Sequence, residues 1–281
     1  MHNVREGTLQ GCLSYIAFGD GPPLVVFPGL SSTNANPTGF LLRFEMGWLS
    51  PLARAFRVYR INRKVGLAPR TTMADLASHY ATAIEDRFEG AIPILGFSTG
   101  GSIAQQFAAD RPDLVSRLVL AGTACRLGPV ARDAQRRHAQ FAAWGQYRRS
   151  AAALAPTITG SALRQLLAGA AMWLAAPLGG MGPYWDPSDM IVMVEAEDAF
   201  DASERLGEIR APTLVIGGER DPCYSRELFA ETTRGIPDAR LLIYKGRGHG
   251  GTVTDRRFAR DVKTFLVGVG RHAKTLRNSN T

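Results

Sequence analysis

The sequence predicts an α/β fold with a parallel sheet interrupted by a helical insertion, and three observations carry that reading. Short apolar runs of strand length alternate with longer segments of helical period, the signature of a parallel sheet with crossover helices. Between residues 126 and 206 the alternation stops: that stretch has helical periodicity, many alanines and no convincing strand. The chain has 281 residues, 45% hydrophobic and 21% charged, which suits one large α/β domain or one domain carrying an insertion.

Residues 12–18 and 24–27 are apolar runs joined by Gly19-Asp20-Gly21-Pro22-Pro23, and they read as two strands around a turn. Residues 56–61 make another strand. Residues 72–88 place Met73, Leu76, Ala77, Tyr80 and Ile84 close to helical period behind a threonine cap. A short buried strand at 92–97 leads to a helix at 102–109, ended before Pro112, and to a strand at 117–121. After the insertion come a strand at 213–217, a helix at 225–233, a strand at 240–244 and a helix at 254–267. The domain plan is therefore a core at 1–125 and 208–270, a helical insertion at 126–207, and a polar tail at 271–281 that is expected to fray. The most apolar stretch, 165–181, is rich in Ala and Gly, contains Pro177 and follows Arg164, so it reads as a buried helix rather than a membrane span.

The formal charge of +8 raises the question of a nucleic-acid or membrane partner. The basic residues are scattered, their densest groupings being pairs such as Arg136-Arg137, Arg148-Arg149 and Arg256-Arg257, and they read as solvated faces with no nucleic-acid function. Cys12, Cys125 and Cys223 are odd in number and far apart, giving neither a disulfide framework nor zinc-site spacing. The polar first residues lack the apolar core of a secretion signal, so the expected address is cytoplasmic.

Gly96-Phe97-Ser98-Thr99-Gly100 follows a buried strand and opens a helix, the context of a G-x-S-x-G turn that lifts a serine above a sheet edge. Small flanking residues suit such a turn because neighbouring chain passes close by. The alternatives are a Gly-rich turn whose serine only caps the helix, and a phosphate loop; the latter lacks G-x-G-x-x-G and a Walker pattern. A serine hydroxyl needs a histidine base. Of five histidines, His2 and His272 sit in the termini and His79 and His138 within predicted helices, whereas His249 lies in the glycine-rich loop directly after the last strand. Asp221, just past the preceding strand, is the candidate for orienting it; Glu219 is the nearest rival, with Asp198 and Asp201 weaker.

With these motifs in the order Ser98, Asp221, His249, the sequence resembles the α/β-hydrolase superfamily, specifically its capped esterase, lactonase and haloperoxidase-like members. The resemblance runs through 24–29, 96–101, 118–122, the insertion, 218–221 and 248–249. It implies a mostly parallel eight-stranded sheet with a helical cap inserted after the sixth strand. It also implies an oxyanion hole from the backbone N–H groups of Leu30 and Thr99. Two departures stand out: Pro28-Gly29 replaces the His-Gly common after the third strand, and Asn62-Arg63-Lys64-Val65-Gly66 replaces an acidic, glycine-rich loop. Ser31 or Ser32 is either an added hydroxyl donor or a helix cap. The basic pair Arg63-Lys64 reads better as solvated charge than as a partner for an acidic substrate.

The insertion carries Trp144, Tyr147, Met172, Trp173, Met181, Tyr184, Trp185, Met190 and Met193. Most such residues glue a cap to its core; part of the set is expected to line the pocket, with Trp144, Trp173 and Trp185 the candidates for substrate contact. Glu195, Glu197 and Asp198 cluster on a polar stretch expected to face water. The expected activity is hydrolysis of a small apolar carboxylic ester or lactone through an acyl-enzyme, with no metal and no organic cofactor called for. The rival classes are a ligand-binding or receptor-like protein with little turnover, a C–C bond hydrolase, an aminopeptidase and a perhydrolase.

Overall fold

The computed structural model describes residues 4–183 and 185–268; the tail at 271–281, His2, His272 and Tyr184 lie outside the described residues. A hairpin opens the chain: β1 (Arg5–Leu9) and β2 (Leu13–Phe18) pair antiparallel. β1 has no counterpart in the sequence reading because only Leu9 of its five residues is buried, which leaves no alternation to detect. Next come β3 (Pro23–Phe27), α1 (Gly39–Leu49), β4 (Arg57–Ile61), α2 (Met73–Arg87), β5 (Ile92–Phe97), α3 (Thr99–Asp110) and β6 (Val115–Ala121). Helices α4 (Pro129–Ala143), α5 (Tyr147–Ala153), α6 (Ala162–Ala175) and α7 (Ser188–Asp198) then precede β7 (Thr213–Gly218), α8 (Arg226–Gly235), β8 (Ala239–Tyr244), α9 (His249–Val253) and α10 (Phe258–Val267).

The strands form one eight-stranded sheet in the order β1-β2-β4-β3-β5-β6-β7-β8, parallel from β4 to β8. β2 and β3 are therefore consecutive but not paired; β4 lies between them. Parallel pairing needs both faces covered, and the alternating side chains of the central strands provide two cores. Val25, Phe27 and Ile94 pack with Leu76, Phe107 and Phe229 of α2, α3 and α8, while Leu24, Val26 and Leu95 pack with Trp48, Leu49, Phe258 and Val262 of α1 and α10. The helix read at 254–267 begins only at Phe258, because Asp255 turns its carboxylate onto the Arg257 N–H (2.9 Å) and the Arg247 guanidinium (2.7 Å) just before it.

All of α4 to α7 lies between β6 and β7. The group is fixed to the core at α7: Asp189 accepts from the Leu67 and Gly66 N–H groups (2.7 and 3.0 Å), and Trp185 Nε1 donates to Ser32 O (2.7 Å). One expectation fails here. The stretch read as a buried helix forms α6 and the turn Ala176–Gly179, and α6 has no buried residue; Leu163, Leu166 and Leu174 are each at least 66% exposed. α6 approaches the preceding segment at Gly169, where an added Cβ would lie 3.6 Å from Ala155 Cβ and 3.7 Å from Ala152 O, while its leucines face outward. Among the described residues no helix is long and apolar enough to cross a membrane.

Candidate active site

The segment between β5 and α3 is a sharp turn whose centre, Ser98, adopts φ 52° and ψ −127°. A non-glycine residue pays for that conformation in strain, and the surroundings hold it there: Ser98 N donates to Ala121 O (3.0 Å), and Ser98 O accepts from Gly101 N (2.7 Å). The flanking glycines are required by close approach. A Cβ on Gly96 would lie 2.6 Å from Gly101 Cα, and one on Gly100 would run into the carbonyl of Phe27. The turn leaves Ser98 at the N-terminal end of the twelve-residue α3, where unpaired N–H groups favour negative charge.

Three residues singled out in the sequence lie within hydrogen-bond reach of one another. Ser98 Oγ is 2.9 Å from His249 Nε2, and His249 Nδ1 is 3.0 Å from Asp221 Oδ2. The Asp221 side chain is fully buried, and its other oxygen accepts from the N–H groups of Cys223 (2.8 Å) and Tyr224 (3.3 Å). With Asp221 as acceptor at Nδ1, the proton sits on Nδ1 and Nε2 accepts from the Ser98 hydroxyl. The imidazole is held flat between Phe97 and Tyr224, with centroid separations of 5.4 and 5.9 Å. Burial works against the imidazolium, but the adjoining Cys223 and the Asp221 carboxylate on Nδ1 outweigh it and hold the ring's proton affinity well above the ordinary value. Glu219 serves elsewhere: exposed, it accepts from Gly246 N at 2.8 Å and so shapes the loop that delivers His249.

Leu30 and Thr99 both lie close to Ser98. A Cβ on Gly29 would lie 3.3 Å from Ser98 Cβ, so the loop carrying Leu30 runs against the serine, and Thr99 is the first residue of α3, whose N–H has no acceptor within the helix. Arg63 holds that loop, which corrects its reading as solvated charge. It is 1% exposed, and its guanidinium donates to Asn34 Oδ1 (3.0 Å), Pro28 O (3.1 Å), Gly29 O (3.0 Å) and Ser31 Oγ (2.8 Å). Burial pushes its pKa down. Lys64 alone of the pair is partly exposed. The Ser31 hydroxyl is spent on Thr33 O (2.6 Å).

On the far side of the turn a second buried ionisable group appears, one read from sequence as facing water. Glu197 of α7 is 1% exposed and accepts from Thr99 Oγ1 (2.7 Å), Ser102 Oγ (3.1 Å) and Gln135 Nε2 (3.1 Å). Burial pushes its pKa up, by more than those hydrogen bonds and the charge of Arg63 lower it. Glu195 is exposed, and Asp198 pairs with Arg136.

Ser98 and His249 open into a cavity of about 720 Å³ lined mainly by apolar side chains, among them Leu127, Ala131, Leu154, Met172, Leu178 and Met181. The three tryptophans proposed for substrate contact are not in its lining. Trp144 and Trp173 are 59% and 44% exposed, the former against Phe141 and the latter under the Arg148 guanidinium; Trp185 is tied to Ser32 and packs among Met181, Met190 and Val194. Met172 and Met181 of the same set do line the cavity, whereas Met190 and Met193 are core residues. By ligand type and closeness, Asp221, Cys223 and His249 could hold a metal, but the His249 and Asp221 atoms concerned are already hydrogen-bonded to each other.

A family described as the alpha/beta hydrolase family matches residues 24–261. The chain is 30% identical over 247 residues to the polyketide synthase ThaQ of Burkholderia thailandensis, covering 82% of this chain and 11% of that protein. It is 32% identical over 165 residues to the poly(3-hydroxyalkanoate) depolymerase of Ectopseudomonas oleovorans, covering 55% of this chain and 53% of that one. The chain thus spans about a tenth of the first and about half of the second. Among solved structures, the enol-lactonase from Burkholderia xenovorans LB400 superposes with a TM-score of 0.73 at 21% identity, over 94% of this chain and all of that one, a likeness of fold.

Proposed function

The chain belongs to the alpha/beta hydrolase family, and on that premise we propose that it hydrolyses apolar carboxylic esters or lactones through an acyl-enzyme on Ser98. The observation that carries this reading is the chain of hydrogen bonds from Ser98 Oγ through His249 to Asp221 at the floor of an apolar cavity. Ser98 Oγ attacks the ester carbonyl carbon as its proton passes to His249 Nε2. The Thr99 and Leu30 N–H groups receive the negative charge that develops on the carbonyl oxygen. When the tetrahedral intermediate collapses, the imidazolium gives its proton to the departing alcohol oxygen. Water then attacks the acyl-enzyme, His249 takes one of its protons, and the carboxylic acid leaves as the proton returns to Ser98. Asp221 keeps Nδ1 protonated and offsets the positive ring throughout. In this assignment the core spans 1–125 and 208–270, and the segment 126–207 acts as a cap over the serine.

The relatives' names agree with an acyl substrate, one being a depolymerase of a polyester and one fold relative an enol-lactonase. A fluorophosphonate probe is the direct test. It is expected to label Ser98 and nothing else, with labelling and turnover of p-nitrophenyl esters both abolished in Ser98→Ala. Full activity in that variant would overturn the assignment. Labelling without turnover of any ester, lactone or aminoacyl anilide would favour a binding protein instead.

A further inference from the structure

The α4 wall of the cavity carries two polar side chains that the reaction above does not use. His138 and Gln135 both line the cavity, 3% and 6% exposed, and their spacing of three places them on one face of the helix. Ser150 settles the tautomer of His138. Its hydroxyl donates to His138 O at 2.8 Å, so Ser150 Oγ, 2.8 Å from His138 Nδ1, must accept there. Ser150 O, at 2.9 Å from the same nitrogen, is a carbonyl and can only accept. The proton is therefore on Nδ1, and Nε2 presents a lone pair. Burial pushes the imidazolium's pKa down, which keeps the ring neutral. Alongside it, Gln135 Nε2 is committed to the Glu197 carboxylate, which turns Oε1 the other way, and that buried oxygen has no partner among the described residues.

A buried Gln135 Oε1 without a donor, with the lone pair of His138 Nε2 on the same helix face, on the α4 wall of a cavity lined mainly by apolar side chains, is paired only when an occupant supplies hydrogen. An ammonium is a poor occupant: the nearby carboxylate, Glu197, already accepts from Thr99, Ser102 and Gln135. We propose that His138 Nε2 and Gln135 Oε1 form an acceptor site for a substrate hydroxyl, so that the preferred ester is apolar except for one hydroxyl in its acyl or alcohol part. This rests on the hydrolase reading of the same cavity.

The test uses two series of esters of matched length. In one a hydroxyl is stepped along the acyl chain of a p-nitrophenyl ester, in the other along the alcohol part. Each compound is paired with its deoxy form and its methyl ether. One hydroxyl position is expected to exceed both partners in kcat/KM by about tenfold or more. The preference is expected to shrink towards unity in His138→Phe, which keeps a ring against Trp185, and to weaken in Gln135→Met. A methyl ether as good as the hydroxy ester, a preference that survives both variants, or no preferred position in either series would overturn the acceptor site. If His138→Phe does not fold, the wild-type ether comparison and Gln135→Met still decide. Fluorophosphonate labelling of the wild-type Ser98 reports separately on the hydrolase reading, so the two failures are distinguishable.

Discussion

Thr99 Oγ1 donates to Glu197 Oε2 at 2.7 Å, so the residue that follows Ser98 is tied by its side chain to a carboxyl group of α7. The same carboxylate binds Ser102, one turn further along α3, and Gln135 on α4. The turn that positions Ser98 is thus held partly from outside the sheet.

Glu197→Gln replaces an acceptor of three donors by a group that must itself donate, leaving at least one buried hydroxyl or amide hydrogen without an acceptor. Stability is expected to fall by about 1–3 kcal/mol, read as a Tm lower by roughly 2–4 °C per kcal/mol. The loss in kcat is expected to exceed the change in KM, because Thr99 shifts relative to Ser98. An unchanged Tm would show that the carboxylate is not needed there.

Arg63→Lys keeps the charge and removes the fork. One ammonium cannot reach Asn34, Pro28, Gly29 and Ser31 together, so the loop that carries Leu30 loosens. The expected result is a kcat lower by about 10- to 100-fold with KM little altered, the mark of a displaced transition-state donor. A change confined to KM would place Arg63 in substrate binding instead.

His249 must be neutral to accept the Ser98 proton, so kcat/KM falls as pH drops through its pKa. Since Cys223 and the Asp221 carboxylate raise that pKa, the acid limb is expected above the ordinary histidine value of about 6.5. Asp221→Asn removes a charge that raises it, so the limb moves to lower pH while kcat drops on the order of 10³ to 10⁴. Glu219→Gln leaves both within a few-fold. Initial rates between pH 5 and 9 decide, and an acid limb that does not move in Asp221→Asn would contradict the coupling.

The cavity lining, rather than the tryptophans of the insertion, is expected to govern acyl length. Met172→Trp fills space on the wall and shifts the optimum in a p-nitrophenyl ester series to shorter chains, whereas Trp173→Ala, on the exposed side, leaves the length profile as it was. Equal shifts in both variants would place Trp173 in the substrate's path.

What the sequence made legible, and what it did not, divides along a physical line. Ser98, Asp221 and His249 stand where backbone rules place them, on a Gly-flanked turn and just past two strands, so local pattern was enough to bring them into view. Arg63, Glu197 and His138 did not stand out, because burial of a polar group depends on which distant segment covers it. Arg63 follows a strand like any solvated arginine, and only the loop from Pro28 to Asn34 folding over it takes it out of water. Glu197 sits between exposed Glu195 and partly exposed Asp198 in a segment that reads as a polar helix end. The parallel strands were found from their apolar runs, while β1, nearly all of it solvated, and the order in which β4 separates β2 from β3 carried no local signal.

The hydrogen bond between Ser98 and His249 joins residues 151 positions apart, with all of α4 to α7 inside the loop that it closes. Contacts of such separation carry a large closure entropy and form late, after local helices and neighbouring strands have condensed. Catalytic competence should therefore be the last property to return during refolding: far-UV helicity comes first, then tryptophan burial, and reactivity of Ser98 towards a fluorophosphonate only when the segment after β8 has docked. That ordering makes the serine's own reactivity a clock for completion of the fold, readable without any knowledge of the natural substrate.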